Sequence, residues 1–261
     1  MRSDDLEARM RRYETALDHP IPPGFQIVAR LDGRSFTHLT KEVCRFDSPF
    51  DVRFHHLMAE TCRHLMTCGF NVRLAYSESD EISLLIHPLE AVFGRKPRKW
   101  MSILAAEASA AFSLALGQTA AFDGRLSVLP GEEQVVDYFR WRMNDAARCC
   151  LNGHAYWLLR RQGLGTRAAS ERLRGMERSD KHEWLFQQGL NFDALPTWQK
   201  RGFGVYWSTR EIAGVNPLTG EVSQTQRRVL HLDQDLPWKE EYAAGIRRLL
   251  AGASFTQGER V

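Results

Sequence analysis

The sequence lacks most of the marks by which small or unusual proteins are recognised. Only five of its 261 residues are cysteine (Cys44, Cys62, Cys68, Cys149 and Cys150), with no C-x-x-C pair and no histidine at zinc spacing. A disulfide framework or a structural zinc site is therefore not expected, and a reducing cytoplasm is the natural compartment. No apolar run approaches the roughly 20 residues of a membrane span, so no membrane partner is expected. The opening MRSDDLEARMRRYE is charged and helical in pattern, without the apolar stretch of a secretory leader, and none is expected. Low-complexity tracts, internal repeats and Gly/Ser linkers are missing too, so any domain boundary is gradual. With 43% hydrophobic and 26% charged residues, the chain is an ordinary globular one, long enough for one large domain or two small ones.

Its charge is unevenly placed. The formal net charge is +3, yet ten Lys or Arg stand against four Asp or Glu between residues 138 and 182. There Arg140, Arg142, Arg148, Arg160 and Arg161 are interleaved with Trp141, Tyr156 and Trp157. Basic residues mixed with aromatics suit phosphate contacts and stacking on nucleic-acid ends. A solvated helix face would give the same charge pattern.

The first half reads as alternating strands and helices. Residues 25–31 (FQIVARL) form a buried strand that ends at the turn dipeptide Asp32-Gly33. Ser48-Pro49 suits a helix start, with a hydroxyl at N-cap and proline at N1, and Gly69 closes that helix. Residues 70–76 and 81–87 are two strands around Ser77-Glu78-Ser79-Asp80, hence a hairpin. A second helix spans about 96–116, stopped by Gly117, and residues 125–129 form a short strand. The order is β-α-β-β-α-β, the ferredoxin-like arrangement of an α+β protein. After residue 180 the pattern gives a helix with an Asp180-x-x-Glu183 capping box, then strands near 203–207 and 226–232, joined as a hairpin across 216–220. The expected organisation is a catalytic core over 1–135 and a helical and hairpin extension over 136–261, within one compact unit.

This topology brings Asp32, at the exit of the first strand, close to Asp80 and Glu81, at the turn joining its neighbours. Clustered carboxylates repel and are stable only with positive charge between them. Hard oxygen ligands with room for substrate phosphates suit Mg²⁺, and two such ions serve phosphoryl transfer. Gly33 permits close backbone approach to a metal or triphosphate. Each residue alone has a plainer reading as a turn or a solvent-facing strand position. Arg95, Lys96, Arg98 and Lys99 crowd the start of the second helix, where the macrodipole disfavours cations, so an anion such as a triphosphate is expected there. The alternative is a basic surface patch.

RLDGRSF (30–36), YSESDE (76–81), FDGR (122–125) and GLNF (189–192) together resemble the tRNA-histidine guanylyltransferase superfamily over roughly residues 5–210. The resemblance implies a palm-like core that adds nucleotides in the 3′-to-5′ direction. It implies two Mg²⁺ ions on Asp32, Asp80 and the Gly33 carbonyl, with Asp32, Asp80 and Glu81 as the catalytic acids. It implies a nucleotide site at Asp32, Gly33, Arg34, Ser35, Phe36, Thr37, Ser79 and Asp80, with Asp51 matching a further position. Lys96, Lys99 and Arg95 are added to that site on the anion argument, and the arginines from Arg140 to Arg161 are assigned to tRNA. GTP and ATP are the implied substrates, tRNA the partner, and a homotetramer the implied assembly.

Two departures stand out. Ser48 replaces the lysine of the family's F-x-K-P-x-D, and residues 147–153 (ARCCLNG) replace H-I-N-N-L-Y-N. The second points to the guanylyltransferase-like branch, whose members repair truncated tRNA 5′ ends against a template. The rivals are strict guanosine addition to histidine tRNA, a non-catalytic RNA-binding module, and a nucleotide cyclase. No strand carries the aromatic run of RNA-recognition folds, and a cyclase would leave the basic second half without a purpose.

Overall fold

The computed structural model describes residues 3–215 and 222–256. In chain order the elements are α1 (Ser3–Glu14), β1 (Gln26–Gly33), a short α2 (Phe36–His38), α3 (Val52–Leu65), β2 (Val72–Glu78), β3 (Glu81–Ile86), α4 (Pro97–Leu116) and β4 (Phe122–Leu129). The second half adds α5 (Glu132–Arg161), α6 (Thr166–Leu173), α7 (Arg178–Gln187), α8 (Thr197–Arg201), β5 (Phe203–Val215), β6 (Val222–Asp233) and α9 (Lys239–Leu250). The strands form one antiparallel sheet in the order β4-β1-β3-β2-β5-β6. Its first four strands, with α3 and α4, are the ferredoxin-like unit expected from the sequence. The β5–β6 hairpin extends that sheet from the β2 edge.

Both faces of the sheet are covered, which is why Ile27, Val28 and Ala29 are consecutive apolar residues of β1. Ile27, Ala29 and Leu31 point toward α3 and α4, into a core with Met58, Leu65, Leu104 and Phe112. Val28 and Leu85 point the other way, into a second core with Phe139, Tyr242 and Ile246 of α5 and α9. The period of two in a strand makes this division strict. On β1, Arg30 and Asp32 therefore share the α5 face with Val28.

Some boundaries differ from expectation. The N-cap of α3 is Asp51 rather than Ser48, and the Ser48–Pro49 peptide is cis. Asp51 prevails because its carboxylate accepts from both the Arg53 and the Asp47 amides, at 2.7 Å each, where a hydroxyl has less capacity. Helix α7 starts at Arg178 behind Glu177, with no side-chain cap, so the Asp180–Glu183 box is not formed. Strand β4 starts at Phe122, which takes the whole of FDGR into the sheet. Gly117 ends α4 as expected, at φ 70°, with its amide on the Ser113 carbonyl. The turn across 216–220 lies outside the described residues, while the strands flanking it pair from Gly204↔Asp233 to Val215↔Val222.

Candidate active site

Strand register lines up four carboxylates across the sheet. Asp123 of β4 pairs with Asp32 of β1, Asp32 with Glu81 of β3, and Glu81 with Glu78 of β2. Like charges directly opposite one another destabilise a sheet, so this row needs cations. Three arginines supply them. The Arg125 guanidinium lies 3.1 Å from Asp32 and 3.3 Å from Asp123. Arg30 lies 3.5 Å from both Asp32 and Glu81. Arg142 of α5, buried under the row, donates to Glu81 at 2.6 and 2.9 Å, to Glu78 at 2.7 Å and to Asp145 at 3.0 Å. Burial, reinforced by Glu81 and opposed by Arg142, pushes Glu78 up to about 8.

Glu78 and Glu81 close the two-residue turn Ser79-Asp80, so Arg142 fastens both stems of the loop that presents Asp80. Ser79 takes φ 49°, a left-handed conformation, and the Gly33 amide donates to the Asp80 carbonyl at 3.0 Å. That bond ties the turn to the exit of β1 and sets Asp80 beside Asp32. Burial, with the Asp32 charge adding to it, raises the Asp80 carboxyl above its usual range. No Lys or Arg pairs with Asp80 among the described residues, which leaves a desolvated carboxylate beside a second one without full compensation. Two carboxylates and the Gly33 carbonyl form a hard-oxygen donor set that fits a divalent ion completed by water and phosphate oxygens. Among the described residues no larger cluster of His, Cys, Asp or Glu is arranged to hold a metal. Gly33 is close-packed: a Cβ there would lie 2.5 Å from the ring of Phe36.

Beside Asp80 a cleft of about 240 Å³ opens between the loop before α3, the hairpin turn and the middle of α5. Thr37, Lys41, Phe46, Asp47 and Asp51 form one wall, and Ala146, Cys149, Gly153 and Trp157 of α5 form the other. His55 and Trp198, stacked with centroids 4.3 Å apart, close its inner end. Burial holds the His55 imidazole down to about 4, so it is neutral at pH 7. In the cleft, rings such as Phe46, Phe50, Trp157 and Trp198 alternate with polar side chains such as Lys41, Asp47 and Gln199, one end wall is acidic, and its size suits a nucleobase.

Residues 7–130 match the family model described as "tRNAHis guanylyltransferase", and residues 133–239 match "Thg1 C terminal domain". The Schizosaccharomyces pombe protein named tRNA(His) guanylyltransferase is 31% identical over 203 residues, covering 74% of this chain and 77% of that one. The chain belongs to the tRNA(His) guanylyltransferase family. The Neurospora crassa tRNA(His) guanylyltransferase is 30% identical over 217 residues, covering 78% of this chain and 73% of its own. A bacterial guanylyltransferase-like protein in complex with ATP superposes with TM-score 0.75 at 25% identity, covering 94% and 98% of the two chains. The Saccharomyces cerevisiae family enzyme superposes with TM-score 0.69 at 25% identity, covering 76% and 91%. This protein is accordingly a tRNA 5′-end nucleotidyltransferase with a tRNA-guanylyltransferase-type fold.

Within that family frame, the structure gathers some expected residues and disperses others. Asp32, Gly33, Ser79 and Asp80 converge, and Thr37 lines the cleft. Arg34 and Ser35 are exposed in the turn after β1, while Phe36 is buried beneath it, packed on Phe112 and Phe122, and lines the cleft with Thr37. Asp51 reaches the cleft wall, but Arg53 and two backbone amides occupy its carboxylate and hold it down to about 2. Glu81 is not presented to substrate, because its oxygens are spent on Arg142 and Arg30.

The basic cluster before α4 requires correction. It sits where β3 ends and β1 begins, at the far end of the sheet from Asp80. The five residue steps of β1 from Ile27 to Asp32 put about 17 Å between those ends. Arg95 is buried and donates to five backbone carbonyls, those of Ile21, Pro22, Phe25, Pro88 and Glu90, so it is a structural staple. Lys96 and Arg98 pair with Asp18, and Lys99 is exposed at the same far end. None of the three reaches the nucleotide site of its own chain.

The tRNA assignment of Arg142 also fails, since that side chain is only 7% exposed and fully engaged with carboxylates. Arg140 and Arg148 are exposed on α5, Arg148 with an ion pair to Asp145. Arg160 is half-buried near the Tyr156 hydroxyl, and Arg161 is exposed and reaches the Ser48 carbonyl. Arg30, Glu78, Asp123 and Arg125 were not anticipated. Their signal was available in the sequence: R-x-D at 30–32 and D-x-R at 123–125 align Asp with Asp and Arg with Arg when paired antiparallel.

Proposed function

We propose that the protein is an Mg²⁺-dependent 3′-to-5′ nucleotidyltransferase that rebuilds shortened tRNA 5′ ends, with the opposing strand choosing the base. The observation that supports template choice is the α5 wall of the cleft. It presents Ala146, Cys149 and Gly153, none with a long polar side chain able to hold one base identity by paired hydrogen bonds. Lys41, Asp47 and Gln199 elsewhere in the lining are polar side chains within reach of a base, and in this reading pairing across the acceptor stem makes the final choice. The names of the curated relatives support a second reading, addition of a single guanosine to histidine tRNA.

In the proposed chemistry a tRNA 5′-monophosphate oxygen attacks the α-phosphate of ATP, forming a phosphoanhydride and releasing pyrophosphate. The 3′-hydroxyl of an incoming nucleoside triphosphate then attacks the activated 5′-phosphate, and AMP departs. Both steps are in-line displacements that depend on positioning and charge compensation. Asp32, Asp80 and the Gly33 carbonyl would hold two Mg²⁺ ions, which supply positive charge to the attacking and departing oxygens. The cleft would take the nucleobase, and the carboxylate row with its three arginines fixes Asp32 and the turn that carries Asp80. Exposed Arg140, Arg148 and Arg161 would take acceptor-stem phosphates.

A homotetramer belongs to the same reading, with exposed Leu6, Met10, Tyr13 and Leu17 of the α1 region as candidate subunit contacts. Five free thiols suit a cytoplasmic setting. No described helix is long and apolar enough to cross a membrane. The test offers each nucleoside triphosphate separately to tRNAs of several identities that lack their first nucleotide. The expected product carries the Watson–Crick partner of the opposing base. Guanosine added only to histidine tRNA, whatever base it faces, would favour the second reading instead.

A further inference from the structure

The cleft beside Asp80 is short of positive charge. Asp47, Asp51, Glu78 and Asp80 all line it, and among the described residues Lys41 is the one Lys or Arg that does. Arg53 and Arg142 answer Asp51 and Glu78 from outside the lining, so their charge is already spent. A nucleoside triphosphate brings several more negative charges. Lys96 and Lys99, at the far end of the sheet, do not meet them. Ser48, in the same wall as Lys41, stands where the family pattern has a lysine.

Local structure turns Lys41 toward this deficit. After α2 the chain makes one π-helical turn, Leu39–Val43, closed by the Cys44 amide donating to the Leu39 carbonyl at 2.9 Å. Phe36 and Leu39 anchor the segment in the core, while Thr37, Thr40 and Lys41, three and four residues apart, share the cleft side. Single π turns recur at functional sites. The Lys41 ammonium lies 4.7 Å from the centroid of the Trp157 ring on α5, the opposite wall. No carboxylate pairs with it among the described residues, and neighbouring Glu42 faces His38 instead, at 3.3 Å. An exposed cation over a ring is weakly held, whereas a phosphate oxygen offers a charge-assisted hydrogen bond. The ammonium can therefore leave the ring for an arriving anion at little cost.

We infer that Lys41 contacts a phosphate of the nucleoside triphosphate bound in the cleft, supplying from the π turn a cation that this chain lacks at Ser48. The inference rests on the reading of the cleft as the nucleotide site and adds a substrate-contacting residue to it. Such a contact is blind to base identity, because an ammonium is a point charge with three rotatable donors. It leaves the base edges free to pair with the opposing strand.

The experiment measures binding of ATP, of adenosine and of tRNA to the full chain by calorimetry, with Mg²⁺ present. Lys41 is exposed, so its variants should fold as wild type does. Lys41→Ala should weaken ATP binding roughly tenfold, the lower end of what a hydrogen bond to a charged group contributes. Adenosine and tRNA binding should each change less than twofold. Lys41→Arg should keep most of the ATP affinity. Adding Ser48→Lys to Lys41→Ala should restore at least half of the lost affinity on a logarithmic scale, since it returns a cation to the same wall. A Lys41→Ala protein that binds ATP like wild type would overturn the inference. Equal losses for ATP and adenosine would also overturn it, because Lys41 would then only order the Trp157 ring. A loss confined to tRNA would assign the lysine to RNA instead. Wild type that bound neither ATP nor adenosine would sink the nucleotide reading of the cleft itself, a result distinct from a lysine variant without effect.

Discussion

Replacing Arg142 with alanine leaves Glu78 and Glu81 facing each other across the neck of the turn that carries Asp80. The guanidinium makes four hydrogen bonds of 2.6 to 3.0 Å to three carboxylates and is 7% exposed, so no water can take its place cheaply. Removing one partner of a buried ion pair costs about 3–5 kcal/mol, against a total stability of about 5–15 kcal/mol for an ordinary domain. The variant has one escape. Glu78 already stands near 8, and without Arg142 both glutamates would take up protons in the folded state. Their folded pKa values then lie above the unfolded ones, so the folded variant is best tolerated at low pH and loses stability as pH rises through the folded values. The deficit of Arg142→Ala relative to wild type should therefore be about 3 kcal/mol or more at pH 8 and distinctly smaller at pH 5.5, read from urea unfolding at each pH. Arg142→Lys should recover less than half of it, since one ammonium cannot reproduce the fork across Glu78 and Glu81. Adding Glu78→Gln to Arg142→Ala should recover part of it by removing one unpaired charge. A deficit below about 1 kcal/mol at pH 8, or one that grows on acidification, would refute the reasoning.

Gly33→Ala should cost about 1–3 kcal/mol by overpacking, because its methyl group would lie 2.5 Å from the Phe36 ring; thermal unfolding checks this, and a larger loss of nucleotide addition than of folded protein is expected. His55→Phe should keep the stack on Trp198 and remove an acid sensitivity. Burial holds His55 down to about 4, below its unfolded value near 6.5. Its contribution is thus intact above about pH 6.5 and lost as pH falls from there toward 4, by up to about 3 kcal/mol. The stability difference between variant and wild type should shift in the variant's favour over that window and stay flat above pH 7. A difference that does not change with pH would show that the imidazole is not excluded from water.

The parts of the fold read most easily were those where one strong local signal had no competitor. The short turn before Glu81 and Gly117 after the alanine-rich helix each placed an element correctly, whereas β1 runs on through Asp32 and Gly33, which the dipeptide alone marks as a turn. The start of α3 was misread because Ser48-Pro49 and Asp51 are both good starts, and only the loop geometry that brings the Asp47 amide to Asp51 decides between them. Arg95 and Arg142 look like surface cations in the sequence. Their burial depends on partners distant along the chain, five carbonyls for Arg95 and a row of carboxylates for Arg142, which charge counting cannot see. The convergence of Asp32 with Asp80 needed only topology and was legible. The full row from Asp123 to Glu78 needed the strand register, and so it was not. The far-end position of Lys96 and Lys99 follows from strand direction: β3 leaves the site at Glu81, so the helix after it must begin at the other end.

The central claim is that Asp32 and Asp80 together hold the divalent ions on which nucleotide addition depends. Manganese binding by electron paramagnetic resonance, with nucleotide present, measures this directly in wild type, Asp32→Asn and Asp80→Asn. Each variant removes a charge without removing volume, and Asp80→Asn also relieves a desolvated carboxylate, so both should fold and Asp80→Asn should be at least as stable as wild type. Wild type is expected to bind the ions tightly and extend tRNA, while each variant loses tight binding and shows no detectable extension. A folded Asp80→Asn protein that bound manganese and extended tRNA like wild type would contradict the account.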